Sequence, residues 1–313
     1  MVSLSLNRFV DRCKKWAFVS KNKRHHRMIT FFHYILILSI GFMFMYPIFN
    51  MISMSFMSLE DLLNGQVHWI PSTFDLTNYQ TAIRVLDIPN SLLSSLRVVF
   101  LPAISATLSS ALIGYGFSRF EFPLKKMWLV LVLTVFILPS QLTLLPQFVW
   151  FRNIGLLGSV WTLILPASFG QGLFSTIYIL IFYSFFNMIP KSLDEAAYID
   201  GASEGRVFWE IGVKLSLQPL IICLAFSFVW YWNDYYRVSY FLMQTDIRTL
   251  VQMLNIFEAN YTQLETMGEL TQRINEPILM AGTMLSILPL LIVYFGLQRY
   301  FVESVDSTGL TGQ

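Results

Sequence analysis

Charged residues are scarce in this sequence of 313 residues, where Asp, Glu, Lys and Arg together make up 13%. Soluble domains carry roughly 25% charged residues, so this chain lacks the polar cover that a water-facing surface requires. Hydrophobic residues reach 55%, with 28 Phe among them, and the mean hydropathy is +0.57. The composition therefore excludes an ordinary soluble domain and indicates a protein whose main solvent is membrane lipid.

The excess of positive charge is also small, at +2. The basic residues gather in the N-terminal tail and in short loops, whereas a nucleic-acid-binding protein presents them as a stripe or patch. Nucleic acid is therefore excluded as a partner, and lipid is expected as one.

Residues that ligate metals or form disulfides are few. Cys13 and Cys223 lie far apart, which provides neither a disulfide framework nor a metal-ligand spacing. The four histidines show no metal-ligand pattern either: His25, His26, His33 and His68. No convergent set of His, Asp, Ser or Cys is visible, so we expect no catalytic residue and no metal, and a membrane enzyme is a weak alternative.

Six apolar stretches are long enough to cross a bilayer, because a helix needs about 20 residues to span about 30 Å of hydrocarbon. The first follows a long polar segment and is followed by no small-residue cleavage site, which predicts an uncleaved anchor. The six stretches are Ile29 to Met54, Leu92 to Phe117, Met127 to Val149, Val160 to Phe186, Leu220 to Met243, and Ile278 to Tyr300.

The distribution of Lys and Arg predicts the orientation, because cytoplasmic segments retain these residues. With the N-terminus inside, 15 of the 21 Lys and Arg residues lie on the cytoplasmic side. Both termini are therefore expected in the cytoplasm. The expected parts are a basic tail (1–28), a six-helix domain (29–303) and a C-terminal tail (304–313), with outer loops 58–90 and 244–277 and inner loop 187–219.

Helix breakers and polar residues mark a possible solute pathway. Proline removes a backbone donor and kinks a helix, so several spans should be bent. The proline and glycine positions at which we expect bends are Pro102, Pro139, Pro146, Pro166, Gly170, Gly172 and Pro289. Polar side chains that could replace the hydrogen-bond partners of a sugar hydroxyl are candidates for lining the pathway: Ser140, Gln141, Thr143, Gln147, Asn233 and Asp234.

The inner loop carries the most specific pattern in the chain, the segment from Glu195 to Ser203. Ser192 and Glu195 have the spacing of a capping box, which predicts a short helix beginning there. Asp200-Gly201 predicts the turn that ends it, and Ser203 could cap a second helix, on which Glu210 and Lys214 could pair. The expected structure is a stiff helical hairpin in the cytoplasm.

These residues resemble the permease subunits of binding-protein-dependent ABC importers, whose mark is a cytoplasmic E-A-A followed by D-G-A, F, I and a late P. The residues at the family spacing are Glu195, Ala196, Ala197, Asp200, Gly201, Ala202, Phe208 and Ile211. Other stretches resemble the maltose-type carbohydrate branch: Trp69-Ile70-Pro71, Asn78-Tyr79, Tyr115 to Phe120, Ile137-Leu138-Pro139, Leu145-Pro146, Gly155-Leu156-Leu157, Ile164-Leu165-Pro166 and Trp232-Asn233-Asp234. Val213, Lys214 and Pro219 depart from the family pattern.

The resemblance implies an all-α polytopic membrane protein with six transmembrane helices and the type I importer permease fold. It also implies that the importer takes up a carbohydrate, and we expect an oligosaccharide. It implies three kinds of partner: a second related permease, two copies of a cytosolic ATPase subunit and an extracellular solute-binding protein. The residues implied to contact the ATPase are Glu195, Ala196, Ala197, Tyr198, Ile199, Asp200, Gly201, Ala202 and Phe208.

ATP and Mg²⁺ are expected on the partner ATPase, and no cofactor is expected on this chain. The sequence contains no Gly-x-x-x-x-Gly-Lys-Ser/Thr phosphate loop, which agrees with that expectation.

Two alternatives remain open. The importer could carry an amino acid, a peptide or phosphate instead of a sugar. An ion-coupled secondary transporter is the weaker alternative, because such proteins place ionisable residues in the middle of their helices. Here Arg97 and Asp234 lie near the ends of predicted helices.

Overall fold

A computed structural model describes residues 23–64, 69–270 and 274–309. Helices and turns make up all regular structure in these ranges, which confirms the predicted all-α class. In chain order the helices are α1 (Lys23–Ser55), α2 (Leu59–Leu63), α3 (Thr77–Val85), α4 (Ile88–Arg119), α5 (Lys125–Ile137), α6 (Leu144–Asn153), α7 (Trp161–Ser168), α8 (Ser175–Met188), α9 (Ser192–Ile199), α10 (Glu204–Val207), α11 (Val213–Leu215), α12 (Leu217–Trp232), α13 (Tyr235–Phe241), α14 (Leu250–Asn255), α15 (Phe257–Thr266) and α16 (Glu276–Gly309).

The chain divides into two compact units, residues 1–75 and 76–313. The first unit contains the long apolar helix α1 and the short helix α2. Asp61 on α2 holds the backbone at Ser72. Its carboxylate accepts hydrogen bonds from the Ser72 hydroxyl and, at 3.1 Å, from the Ser72 backbone N–H. The Ser72 hydroxyl is the main cause that lowers the pKa of Asp61 below its ordinary value.

Helix α4 is the central element of the second unit and packs against α7, α8 and α12. Its contact face is made of small residues, which lets neighbouring backbones approach closely. At Gly114 a Cβ atom would lie 2.6 Å from the Cβ of Phe182 on α8, so only glycine fits this crossing. The core of this unit therefore depends on the narrow face of α4.

Three described helices are long and apolar enough to span a membrane without interruption: Met28–Ser55, Ile88–Arg119 and Glu276–Tyr300. Pro102 and Pro289 lie inside the second and third of these without ending them. Three bent helix pairs raise the number to six if each pair counts as one span: α5 with α6, bent by 95°, α8 with α9, bent by 75°, and α10 to α11 with α12, bent by 78°. In the second and third pairs the membrane part would be α8 or α12, because α9 to α11 belong to the predicted inner loop 187–219. A polytopic membrane fold is confirmed, and the predicted count of six spans agrees with it.

The third, fourth and fifth predicted spans are each divided into two helices, whereas the apolar pattern indicated one continuous helix for each. The third is divided into α5 and α6 by a 3₁₀ turn over Ser140–Thr143, directly after Pro139. The fourth is divided into α7 and α8 at residues 169–174, where Gly170 has a φ of +71° that continues no right-handed helix. Apolar runs predict membrane depth, whereas proline and glycine decide where the helix stops.

Candidate functional site: a helical hairpin and a polar cavity

The first candidate site is the hairpin segment, residues 187–219, in which α9 is followed by a tight turn and α10. Gly201 has a φ of +80°, as the predicted turn requires. The Gly201 N–H donates to the Tyr198 carbonyl at 3.0 Å, and the Ala202 N–H donates to the Ala197 carbonyl at 2.9 Å. This pair of bonds is a Schellman motif, which fixes the end of α9.

The predicted capping box at the start of α9 is wrong. Lys191 occupies the N-cap position and Ser192 already lies in the first turn, so the Ser192 hydroxyl is one residue too late to cap. Turn hydrogen bonds from Leu193 to the Pro190 carbonyl and from Asp194 to the Lys191 carbonyl begin the helix earlier. Asp194 and Glu195 instead place negative charge in the first turn, where the helix dipole favours it.

Two further local expectations for the hairpin are also wrong. Ser203 is the N-cap residue of α10, but its side chain forms no capping hydrogen bond with the described residues. Glu210 pairs with Arg206, at 2.9 Å, and not with Lys214. Residues Phe208–Gly212 form a π-helical turn. Because this turn is wider than an α-helical turn, Glu210 and Lys214, four positions apart, do not lie on the same face.

The candidate ATPase-coupling residues fall into an exposed set and a buried one. Glu195, Ala196, Asp200 and Gly201 are exposed, and Ile199 is 87% exposed despite its apolar side chain. Ile199 and Glu195 are therefore accessible to a partner.

Phe208, by contrast, is buried, with its ring 5.0 Å from Tyr115 on α4 and in one cluster with Phe186. Phe208 therefore attaches the hairpin to the bundle. Ala197 and Ala202 are half-buried between the two sets. Tyr198 is 42% exposed, and burial, followed by the negative charge of Asp194, raises its pKa.

The second candidate site is a cavity of about 380 Å³ between α5, α6 and the break that precedes α8, with a mostly apolar lining that includes several polar side chains. Gln141, Thr143 and Gln147, three of the predicted pathway residues, line it together with Gln171 and Arg237. The side chain of Ser140 lies outside the described residues. Amide and hydroxyl groups on one cavity wall can exchange hydrogen bonds with a polar solute.

The remaining pathway candidates meet in an adjoining cavity of about 200 Å³. Asn233 and Asp234 line it, and Gln141 and Arg237 line both cavities. Trp230, Tyr236 and Phe174 add flat aromatic faces. The structure thus brings together residues from three predicted spans that the sequence could only propose separately.

Arg237 is the functional candidate that sequence reasoning missed, since it was counted only as an outer basic residue. Its Nη1 lies 3.6 Å from Oδ2 of Asp234, and both side chains are largely buried. The Arg237 backbone N–H also donates to Oδ1 of Asp234, at 3.2 Å, which caps α13. The Asp-x-x-Arg spacing after an apolar run was the available signal, because buried ionisable residues in membrane segments mark functional sites.

The predicted outer loop 244–277, called the distal loop below, contains regular helices in its described residues 244–270 and 274–277. It contains α14 and α15, and Thr249 and Gln252 form a capping box at the start of α14. The Leu250 N–H donates to the Ser95 hydroxyl on α4 at 2.8 Å. Tyr261 and Phe257 on α15 are buried, so one face of this loop belongs to the core.

Along α4, Ser95 and Arg119 are about 36 Å apart at 1.5 Å per residue, which exceeds the hydrocarbon thickness of about 30 Å. Ser95 contacts the distal loop, and the last turn of α4 contacts the hairpin segment. The two segments therefore contact α4 at positions near its opposite ends.

The long apolar helices are those of a multi-pass membrane protein, and the comparisons with known proteins identify a membrane transport component rather than an enzyme. Residues 106–307 match the family described as "Binding-protein-dependent transport system inner membrane component". This match covers well over half of the chain, and the chain belongs to that family of ABC importer permeases.

Two curated relatives and one solved structure show the range of similar proteins. The chain is 29% identical to the polygalacturonan/rhamnogalacturonan transport system permease of Bacillus subtilis, over 84% of this chain and 93% of the relative. It is 27% identical to the arabinooligosaccharides transport system permease of Halalkalibacterium halodurans, over 88% and 96%. A bacterial ABC transporter involved in importing the acidic polysaccharide alginate matches with a TM-score of 0.70 at 21% identity, over 88% and 97% of the two chains, which shows the fold.

Proposed function

We propose that this chain is one of two permease subunits of an ATP-driven importer for oligosaccharides in a bacterial inner membrane. The single observation that carries the proposal is the hairpin segment, which presents an exposed helix while its base is buried in the bundle. ATP and Mg²⁺ would bind to two cytosolic ATPase subunits. An extracellular solute-binding protein would deliver the solute.

The hairpin is suited to transmit force from an ATPase. Moving a two-state permease from 1:99 to 99:1 needs about 5.5 kcal/mol of differential interaction, so the contact between the subunits must be stiff. The Schellman motif fixes the end of α9, and Phe208 fixes the base of the hairpin in the aromatic cluster of α4 and α8. Ile199 and Glu195 remain free to contact a partner.

The oligosaccharide substrate is supported by two observations. Curated relatives along most of the chain carry names for polygalacturonan/rhamnogalacturonan and arabinooligosaccharide transport. The cavity walls combine amide side chains with Trp230, Tyr236 and Phe174. Sugars present hydroxyl groups at the ring edge and C–H groups on the ring faces, which suits walls that are both polar and aromatic.

A reconstitution experiment tests the proposal. The tagged chain is purified from its native membrane with its bound partners, placed in proteoliposomes and supplied with ATP inside and the solute-binding protein outside. We expect ATP-dependent uptake of a labelled oligosaccharide, measured against a panel of neutral and acidic oligosaccharides, amino acids, peptides and phosphate. Uptake of an amino acid, a peptide or phosphate alone would contradict the substrate class. Uptake without an ATPase partner would contradict the mechanism.

A further inference from the structure

A buried ion pair joins the end of α4 to the first turn of α9. Nε of Arg119 lies 2.8 Å from Oδ2 of Asp194, and the two side chains are 6% and 10% exposed. Arg119 also donates from Nη1 to the Ile189 carbonyl at 3.1 Å, so its guanidinium holds both the start of the hairpin and α9. One residue earlier, the Ser118 hydroxyl lies 3.0 Å from Oδ1 of Asn187.

The orientation of Asp194 is opposite to that of its neighbours. Leu193 and Glu195 on either side are exposed, and Asp194 alone in this turn faces the bundle. A surface helix gains little fold stability from a buried ion pair, because desolvation of both charges offsets most of their attraction. Such a pair does fix one geometry, since either charge left alone in a buried place is strongly unfavourable.

Helix α4 connects this ion pair to the solute cavity. About ten residues before Arg119 on the same helix, the Ser109 hydroxyl donates to the Ala167 carbonyl at 2.6 Å, and the Ser110 hydroxyl donates to the Ser175 carbonyl at 3.3 Å. These two carbonyls flank residues 169–174, which include the cavity-lining Gly170, Gln171 and Gly172. A displacement of α9 carried by Arg119 would therefore reach the cavity wall through one continuous helix.

We propose that Arg119 and Asp194 are positioning residues that form the joint between the ATPase-facing helix α9 and the pathway helix α4. This inference rests on the proposed coupling function of the hairpin. The joint makes α9 and α4 move together, so that the exposed face of α9 receives the force and the buried face passes it on. Neither residue contacts ATP, solute or the partner ATPase.

The test compares single and paired substitutions in the reconstituted complex, with solute imported per ATP hydrolysed as the readout. Asp194→Asn and Arg119→Met each leave one buried charge alone, and each should lower this ratio by about tenfold or more while the ATPase subunits stay bound. The pair Arg119→Met with Asp194→Leu replaces the ion pair by apolar contact and should restore most of the ratio. A residue needed for direct ATPase contact would not be rescued in this way.

The matched control is Glu121→Gln, which removes the neighbouring ion pair of Glu121 with Lys125, where Glu121 is 79% exposed. An exposed pair contributes little, so the ratio should stay within about twofold. The joint is overturned if both single variants keep the normal ratio, or if the pair rescues nothing. Failure of the unsubstituted complex to couple ATP to uptake would instead contradict the proposed function, which keeps the two failures distinguishable.

Discussion

The hairpin segment and the distal loop contain the same local device, but they are attached to α4 in different ways. Helix α15 ends at Gly268, with a φ of +78° and the same two Schellman bonds that end α9 at Gly201. Buried aromatic rings hold both segments, but the distal loop adds a neutral hydrogen bond to Ser95, whereas the hairpin adds a buried ion pair to Arg119. A neutral attachment suits a segment that serves as a fixed support, whereas an ion pair of fixed geometry suits a contact that makes two helices move together.

The largest expected difference between the two regions is their side of the membrane. Ser192 and Gln263 are both exposed, and single cysteines at these positions in a Cys-free background can be labelled with an impermeant maleimide. In intact cells only Gln263→Cys should react, because the hairpin is expected in the cytoplasm. Reaction of both positions, or of Ser192→Cys alone, would reverse or remove the proposed topology.

The second prediction uses the matching glycines. No described heavy atom lies within 4 Å of the position that a Cβ would take at Gly201 or Gly268, so valine at either position is strained by φ alone, by about 1 to 3 kcal/mol. Gly201→Val should abolish most ATP-driven uptake, about tenfold or more, because 1.4 kcal/mol already changes an equilibrium tenfold. Gly268→Val should reduce uptake less, since the resemblance to maltose-type permeases implies that the distal loop contacts the solute-binding protein and not the ATPase.

Gly205→Val is the control within the hairpin itself. Gly205 is exposed, has the same open surroundings and does not lie at positive φ. Uptake rates of the three variants, measured at equal complex concentration, show whether the turn geometry at Gly201 is what uptake requires. Equal losses for Gly201→Val and Gly205→Val would mean that the turn geometry is not what uptake requires.

The third prediction concerns the exposed face of α15, which is expected to contact the solute-binding protein. Deleting the loop would also remove the buried Tyr261, so charge changes on the exposed face are the cleaner test. Glu258→Lys combined with Gln263→Lys should weaken stimulation of ATP hydrolysis by the solute-binding protein, by about threefold to tenfold, because rim charges mainly change association rates. Unfolding temperature and bound ATPase should not change. Unaltered stimulation would remove this face from the delivery step.

The smallest expected effect lies in the contact between the distal loop and α4. Ser95→Ala removes the acceptor of the Leu250 N–H and should lower the free energy of unfolding by about 1 kcal/mol, with uptake nearly unchanged. Ser286→Ala is the matched control, because the buried Ser286 hydroxyl donates to the Gly282 carbonyl within its own helix. Thermal unfolding of both purified variants measures the difference. A loss of uptake in Ser95→Ala would show that the distal attachment is also part of coupling.

The sequence predicted depth in the membrane and the hairpin turn well, because both depend on local chemistry. Apolar runs marked the spans, and Gly201 marked the turn through its freedom at positive φ. The capping box failed because Pro190 and Lys191 begin α9 earlier than Ser192 could. A capping pattern in the sequence therefore predicts the start of a helix only when the preceding residues do not begin the helix earlier.

The buried ion pair between Arg119 and Asp194 could not be predicted, because it depends on tertiary contact. Arg119 and Asp194 are 75 residues apart in the sequence and meet only because α4 and α8 pack along the small face around Gly114. Arg237 lines the cavity next to the break in the fifth predicted span, where α12 ends at Trp232 and α13 begins at Tyr235. Polar positions in an apolar chain can be recognised from sequence, but their partners require the fold.

Cross-linking of α9 to the ATPase tests the central claim most directly. The account predicts that Ile199→Cys, at an 87% exposed position, forms a thiol cross-link to a cysteine-bearing ATPase subunit in the purified complex, whereas Gln263→Cys on the distal loop forms none. Normal ATP-driven uptake together with no cross-link from Ile199→Cys would contradict the account and leave α9 as an ordinary surface helix.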